Sequence, residues 1–500
     1  MIDVRAVLRT LGVLLLFLGM ALLLPMGVAL FYGEAAWWSF GVTALGSMLF
    51  GGGAWFGLKP EEAYNLRARE GFLIVAVAWA VLSLAGALPF VLSGTLDSYT
   101  DAFFETMSGF ATTGATILGG ADTPAIEDLP NALLFWRSMA HWLGGMGIIV
   151  LTLAILPFLG VGGMQLFKAE VPGPSADKLT PRVRETAKRL WLIYFAFTVL
   201  QILLLLPAMS LFDAVNHAFS TMATGGFSTE NASVGQYDSA YIDWIVTLFM
   251  FLGGINFALH YRLLTGRTIT VLRDTELWVF TGLCVVATLL VFAALWTPVS
   301  TALGIAPGAY LSYDNGLEAL RHAAFQVVAI ITTTGFATAD YMQWAPLGLT
   351  VIFMLFFVGG MAGSTSGGVK VVRIVLLAKN SFKEVKQLVH PQAILPIRLG
   401  TTVVPQDVMR NVLSFIVLFF GLIGFGTLFL AALGVDLFES LGMAMSAVGN
   451  VGPAFGQFGP AGSYAAVPEA GKWMLSFLMM AGRLEIFTVL ILFAPTFWRR

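Results

Sequence analysis

The chain has 500 residues, of which 58% are hydrophobic and 11% charged, whereas an ordinary soluble domain is about 25% charged. That balance requires lipid as the solvent and excludes a water-solvated globular enzyme. The formal net charge of −2 says little as a total, and no nucleic-acid partner is expected.

Apolar segments of about 20 residues, the length a helix needs to cross a bilayer, recur along the chain. The expected fold class is therefore an all-α polytopic membrane protein. The first run, Val7 to Tyr32, is too long for a signal-peptide core and lacks a small-residue cleavage site, so it reads as a retained helix. Ten segments read as full crossings: 9–31, 36–58, 71–93, 133–158, 189–211, 241–264, 276–297, 347–377, 408–433 and 472–497. Between them, 101–112, 213–223, 316–332 and 436–449 are too short to span and read as re-entrant half-helices. Cys284 is the one cysteine, which excludes an intramolecular disulfide and any multi-cysteine metal site.

Charge placement orients this pattern, because cytoplasmic loops carry an excess of Lys and Arg. With both termini inside, 23 of the 27 basic residues fall on one side; Arg137, Arg321 and Lys472 fall outside, and Arg483 lies within a crossing. The outer side then carries 17 acids and should concentrate cations.

Four stretches align without gaps: SGFATTGATI, STMATGGFST, AIITTTGFAT and SAVGNVGPAF. The reading takes Gly114, Gly225, Gly335 and Gly452 as equivalent, at separations of 111, 110 and 117 residues. Each unit runs span, half-helix, glycine motif, span. The second spans carry matching small-residue patches at Gly145, Gly254, Gly360 and Gly482, which fit close helix packing as well as pore lining. The organisation is a two-helix segment at 1–60 followed by parallel repeats at 61–165, 166–270, 271–390 and 391–500, arranged around a central pore.

Backbone that is not helical at membrane depth is tolerated where it is buried or lines a water-filled path, and rings of carbonyls replace the hydration shell of a cation. Thr112, Thr113, Thr224, Thr333, Thr334, Asn450 and Val451 would present such carbonyls, and the following glycines would supply positive φ. The half-helices would aim their partly negative C-termini at the ion. In the third unit the second span is broken by Gly363, Ser364, Thr365, Ser366, Gly367 and Gly368, a candidate gate below the filter. Arg483 is costly at depth and is expected to face the pore beside that loop. His141, His217 and His322 lack a second ligand at metal spacing and read as structural, so no transition-metal site is expected. Asn231-Ala-Ser233 matches a glycosylation sequon only weakly. No phosphate-binding glycine loop is present, so the chain is not expected to be an enzyme that hydrolyses nucleotide.

The motifs GGMAGSTSGG, Gly359 to Gly368, and GRLEIFT, Gly482 to Thr488, together with the fourfold pattern, resemble the Trk/Ktr/HKT superfamily of potassium transport proteins. The extra pair of spans before residue 60 is similar to its ten-span branch. The resemblance covers nearly the whole chain. It implies a K⁺-uptake pore subunit of a bacterial inner membrane, working as a homodimer with a cytosolic ring of nucleotide-binding regulatory subunits of the TrkA type. It also implies that the four glycines face K⁺, that Gly359–Gly368 is the intramembrane loop and that Arg483 faces the pore. The resemblance further implies that glycine rather than serine at 114 goes with potassium rather than sodium. Asn450 and Val451 depart from a symmetric filter. No tightly bound cofactor is implied. A symporter coupling K⁺ to H⁺ or Na⁺ is the alternative; it would need an acid at depth, and only Glu485 approaches a span's interior.

Overall fold

The computed structural model describes residues 2–58, 68–120, 122–154, 179–305, 310–400 and 402–499. The basic segments Lys59 to Arg67 and Lys168 to Lys178, Arg500, and the unit boundaries at 60/61 and 165/166 lie outside the described residues.

The protein is an all-α membrane protein; the one sheet among the described residues is a two-stranded antiparallel pair, Arg398–Leu399 with Thr402–Val403. Val4–Tyr32 and Trp37–Gly57 form an N-terminal hairpin. Their axes approach so closely at Gly12 and Gly51 that a Cβ on either would strike the other's carbonyl, the packing small residues allow between membrane helices.

Each unit opens with a long apolar helix: Ala68–Leu92, Leu179–Leu205, Thr275–Leu295 and Gln406–Ala432. Each then turns into a half-helix: Tyr99–Phe110, Leu211–Met222, Gly316–Ile331 and Leu437–Gly449. The starts of the half-helices follow from sequence. Ser210, Asn315 and Asp436 cap theirs by accepting from backbone N–H groups. All four carry an acid in the first turn, Asp101, Asp213, Glu318 and Glu439, where the helix dipole favours it.

The second spans of the second and fourth units depart from expectation, whereas the break in the third spans the expected Gly363 to Gly368. Asn131–Ala154 is continuous as far as it is described, but the other three are broken. Ala240–Gly254 bends by 99° into Phe257–Leu264, and Glu469–Arg483 by 113° into a short tail ending at Phe493. In the third unit Pro346–Leu355 and Val371–Val389 are separated by a long loop. Consequently five described helices are long and apolar enough to cross unbroken, or seven if each bent pair is one span, against ten expected crossings of which one is broken.

Candidate functional site: a four-motif ring

The half-helices end in the same way in all four units. The N–H of Thr112, Thr224, Thr333 and Asn450 donates to the carbonyl three residues back, at 3.0, 2.9, 2.9 and 3.3 Å. The next N–H, from Thr113, Gly225, Thr334 and Val451, donates five residues back at 2.9, 2.9, 2.8 and 3.0 Å. This is a Schellman-type ending, which requires a left-handed residue just beyond the helix. Thr112, Thr224, Thr333 and Asn450 take that conformation, with φ of 49, 53, 55 and 54°. Asn tolerates it, but a β-branched Thr there is strained, at about 1–3 kcal/mol each.

Two residues later a glycine has φ of 83, 83, 75 and 105°: Gly114, Gly226, Gly335 and Gly452. The sequence reading had placed Gly225 in this set. The structure corrects the register to Gly226, with separations of 112, 109 and 117 residues; the quoted strings, counted by position, carry the same register. Gly225 instead occupies the position of Thr113, Thr334 and Val451.

The four motifs close on each other. A Cβ on Gly114 would strike the carbonyl of Gly225, one on Gly226 that of Thr334, one on Gly335 that of Val451, and one on Gly452 that of Thr113. Each unit thus touches the next and the fourth returns to the first, so the motifs form a ring. All four glycines line one opening of about 80 Å³, with Thr116, Glu230, Asn231 and Tyr464 on its walls. Around the ring Thr112, Thr113, Thr224, Gly225, Thr333, Thr334, Asn450 and Val451 are all buried. Their backbone carbonyls accept no hydrogen bond from any described group.

Behind the ring, each half-helix sends a polar side chain to its motif glycine or to the segment that follows it. Glu105 accepts from Thr116 Oγ1 and from Ile117 N at 2.9 Å. His217 Nε2 lies 3.0 Å from Ser228 Oγ, and Gln326 donates to Ala339 O at 3.0 Å. In the fourth unit, where Met443 stands at the equivalent position, Ser446 and Tyr464 both donate to Gly452 O, at 2.9 and 2.8 Å. Asn450 Nδ2 donates to Thr113 Oγ1 at 2.9 Å, tying the fourth motif to the first. His217 and His322 are hydrogen-bonded braces, His322 to Thr338 Oγ1 at 2.9 Å.

The three bases expected on the outer surface are all ion-paired. Arg137 meets Glu105 at 2.8 Å with both side chains 1% exposed, Lys472 meets Asp101 at 2.6 Å, and Arg321 lies 3.4 Å from Asp243. Sequence reasoning missed these pairs, and it also missed Glu276, which it had not counted as an acid at depth.

Directly beneath the ring lies the loop between Leu355 and Val371. Its ends are pinched together, Gly359 N donating to Val369 O at 2.7 Å and Val371 N to Gly360 O at 3.1 Å. Buried Glu276 accepts from Ala362 N at 2.8 Å and Val372 N at 3.1 Å. The loop touches three units. Thr365 Oγ1 donates to Met222 O at 3.0 Å, Gly367 N to Thr333 Oγ1 at 2.6 Å, and a Cβ on Gly367 would strike Gly449 O. Gly363 and Gly368 take φ of 77 and 64°, and Ser364 and Ser366 are buried within the loop. Arg483, 2% exposed, donates to Thr365 O at 2.7 Å. The structure thus brings Arg483 and the loop together.

In the aligned patches Gly144, Gly253 and Gly482 correspond, since each lies against the carbonyl of Phe110, Met222 or Val448 at its own half-helix end. Arg483 therefore stands where the other units have Gly145, Gly254 and Gly360. Glu485 pairs with Arg373 rather than with Arg483.

A family model described as TrkH, cation transport protein, matches residues 41–500. The chain belongs to the TrkH family. It is 43% identical over 500 residues to the Trk system potassium uptake protein TrkH of Salmonella typhimurium, covering 99% of both chains. Its identity to the protein of the same name in Escherichia coli is 42%, again over 99% of both. The crystal structure of the potassium transporter TrkH from Vibrio parahaemolyticus superimposes with a TM-score of 0.87 at 37% identity, covering 100% of each chain. The register at Gly226 is read from this chain's own backbone.

Proposed function

We propose that this chain is the pore subunit of a potassium uptake system in a bacterial inner membrane. The observation that carries the reading is the ring of buried carbonyls without protein partners. Buried carbonyls are nearly always paired, and a dehydrated monovalent cation at the centre of the ring supplies the partner. The filter is built from Thr112, Thr113, Gly114, Thr224, Gly225, Gly226, Thr333, Thr334, Gly335, Asn450, Val451 and Gly452. The names of the full-length relatives support K⁺ as the cargo.

The loop from Gly363 to Gly368, held by Arg483, is the gate, because it lies against the half-helix ends of three units. Both termini face the cytoplasm, the chain works as a homodimer, and a cytosolic nucleotide-binding subunit of the TrkA type opens the gate. The repeats at 61–165, 166–270, 271–390 and 391–500 are its four building units. Conduction is channel-like, since the buried acids Glu105, Asp243 and Glu276 are held by ion pairs or backbone N–H groups.

Rubidium uptake by potassium-starved cells that lack their own uptake systems tests the proposal. Expression of this chain with its regulatory partner restores uptake, and Gly335→Ala abolishes it. No uptake from the unmutated protein would overturn the reading.

A further inference from the structure

The second motif differs from the other three between its left-handed residue and its glycine. There the first, third and fourth motifs carry Thr113, Thr334 and Val451, and the second carries Gly225. Gly225 is not among the positive-φ residues, so its backbone conformation does not call for glycine. Space does. A Cβ at Gly225 would lie closer than 3.0 Å to Nδ1, Cγ and Cε1 of His141.

His141 comes from the second span of the preceding unit and is fully buried. Its ring stacks on Phe227 with centroids 4.1 Å apart and planes 19° apart. Its Nδ1 lies 3.4 Å from Ser220 Oγ, and the carbonyl of Ser220 receives the Gly225 N–H. The imidazole is thus packed against the last turn of the half-helix, against Gly225 itself and against the residue after Gly226. At the corresponding positions of the other second spans stand Met250, Phe356 and Met479, so the arrangement belongs to the junction of units one and two. That junction is also where a Cβ on Gly114 would meet the Gly225 carbonyl.

We infer that His141 supplies from the neighbouring unit the side-chain volume that Gly225 lacks, and so positions the Gly225 carbonyl in the ring and sharpens discrimination of K⁺ from Na⁺. The inference rests on reading the ring as a cation filter. His141 is a positioning residue; it acts through the backbone of the second motif. Interiors are close-packed, and deleting the ring leaves a void into which a filter turn without a side chain of its own relaxes.

The test is a cycle of His141→Ala, Gly225→Thr and the two combined, in proteoliposomes with K⁺ and Na⁺ gradients. His141→Ala lowers K⁺ over Na⁺ selectivity about tenfold and changes maximal K⁺ flux much less. Gly225→Thr alone lowers flux through the clash. The double variant, whose second motif then matches the first, recovers selectivity and flux relative to both singles. Unchanged selectivity in His141→Ala, or a double variant no better than the worse single, overturns the inference. If His141→Ala does not assemble, His141→Phe decides. Ring volume without nitrogen should keep selectivity, and its loss would contradict a volume role. Melting of the same purified variants separates the two readings. If the unmutated protein carries no K⁺, the filter reading falls, and a double variant that melts above both singles still places His141 and Gly225 in one space.

Discussion

The ring and the level just beneath it are built from the same four repeats and look nothing alike. In the ring, hydrogen-bond pattern and backbone angles recur unit by unit, even though the residues are Thr, Thr, Thr and Asn at one position and Thr, Gly, Thr and Val at the next. One level down the repeats diverge: glycines in the first and second units, a pinched loop in the third and Arg483 in the fourth. Symmetry is kept where, on the proposed function, carbonyls surround a cation, and lost where the proposed gate lies. A blocking segment needs to come from only one side.

The largest effect is expected from breaking the ring's support. Arg137→Met leaves Glu105 buried without its partner, and loss of one member of a buried pair costs about 3–5 kcal/mol. Melting of the purified protein should show this, and a drop no larger than that of Lys472→Met would contradict it. Next comes Gly335→Ala, whose Cβ would strike Val451 O at a backbone φ of 75°. Near-complete loss of flux is expected, with the protein still inserted in the membrane.

The lower level should respond in the opposite direction. Glu276→Ala strands the N–H groups of Ala362 and Val372, at about 1–3 kcal/mol each. It should loosen the loop and raise flux in the absence of the regulatory partner. Glu276→Gln keeps an accepting oxygen and should change flux far less; equal effects from the two would mean that charge, and not the hydrogen bonds, holds the loop. The smallest effect is expected from Ser446→Ala. It removes one of two donors to Gly452 O and the acceptor of the Gly452 N–H and costs about 1–3 kcal/mol, with selectivity shifting less than in Tyr464→Phe only if the tyrosine is the stronger brace.

The half-helices and their acidic first turns were legible because capping residues and short apolar runs are local signals. The ring's position was legible too, and the gap-free strings already carry Gly226 at the shared position; the expectation took the first of two adjacent glycines, and the fold shows that His141 fills the space beside that one. The left-handed threonines were not legible: propensity argues against them, and what holds them is the pair of hydrogen bonds from each half-helix end. The breaks in the second and fourth units were hidden for a related reason. Ile255 and Asn256 interrupt one helix directly after Gly253 and Gly254, a patch that fits packing or pore lining as well as a break, and Glu485 and Ile486 interrupt the other at φ of 61 and 56°, with Ile486 N bonded to Ala481 O at 2.8 Å. The buried pairs of Arg137 and Arg321 depend on residues distant in sequence and could not be read locally.

In the proposed pathway a carbonyl ring conducts K⁺ and the loop held by Arg483 closes it from below. Cation flux into liposomes holding this chain, with and without Arg483→Ala, under K⁺ and Na⁺ gradients at controlled pH, tests it most directly. The account predicts electrogenic K⁺ flux, indifferent to proton and Na⁺ gradients, that rises when Arg483 is replaced. Obligatory proton or Na⁺ movement with K⁺, or flux unchanged by Arg483→Ala, would contradict it.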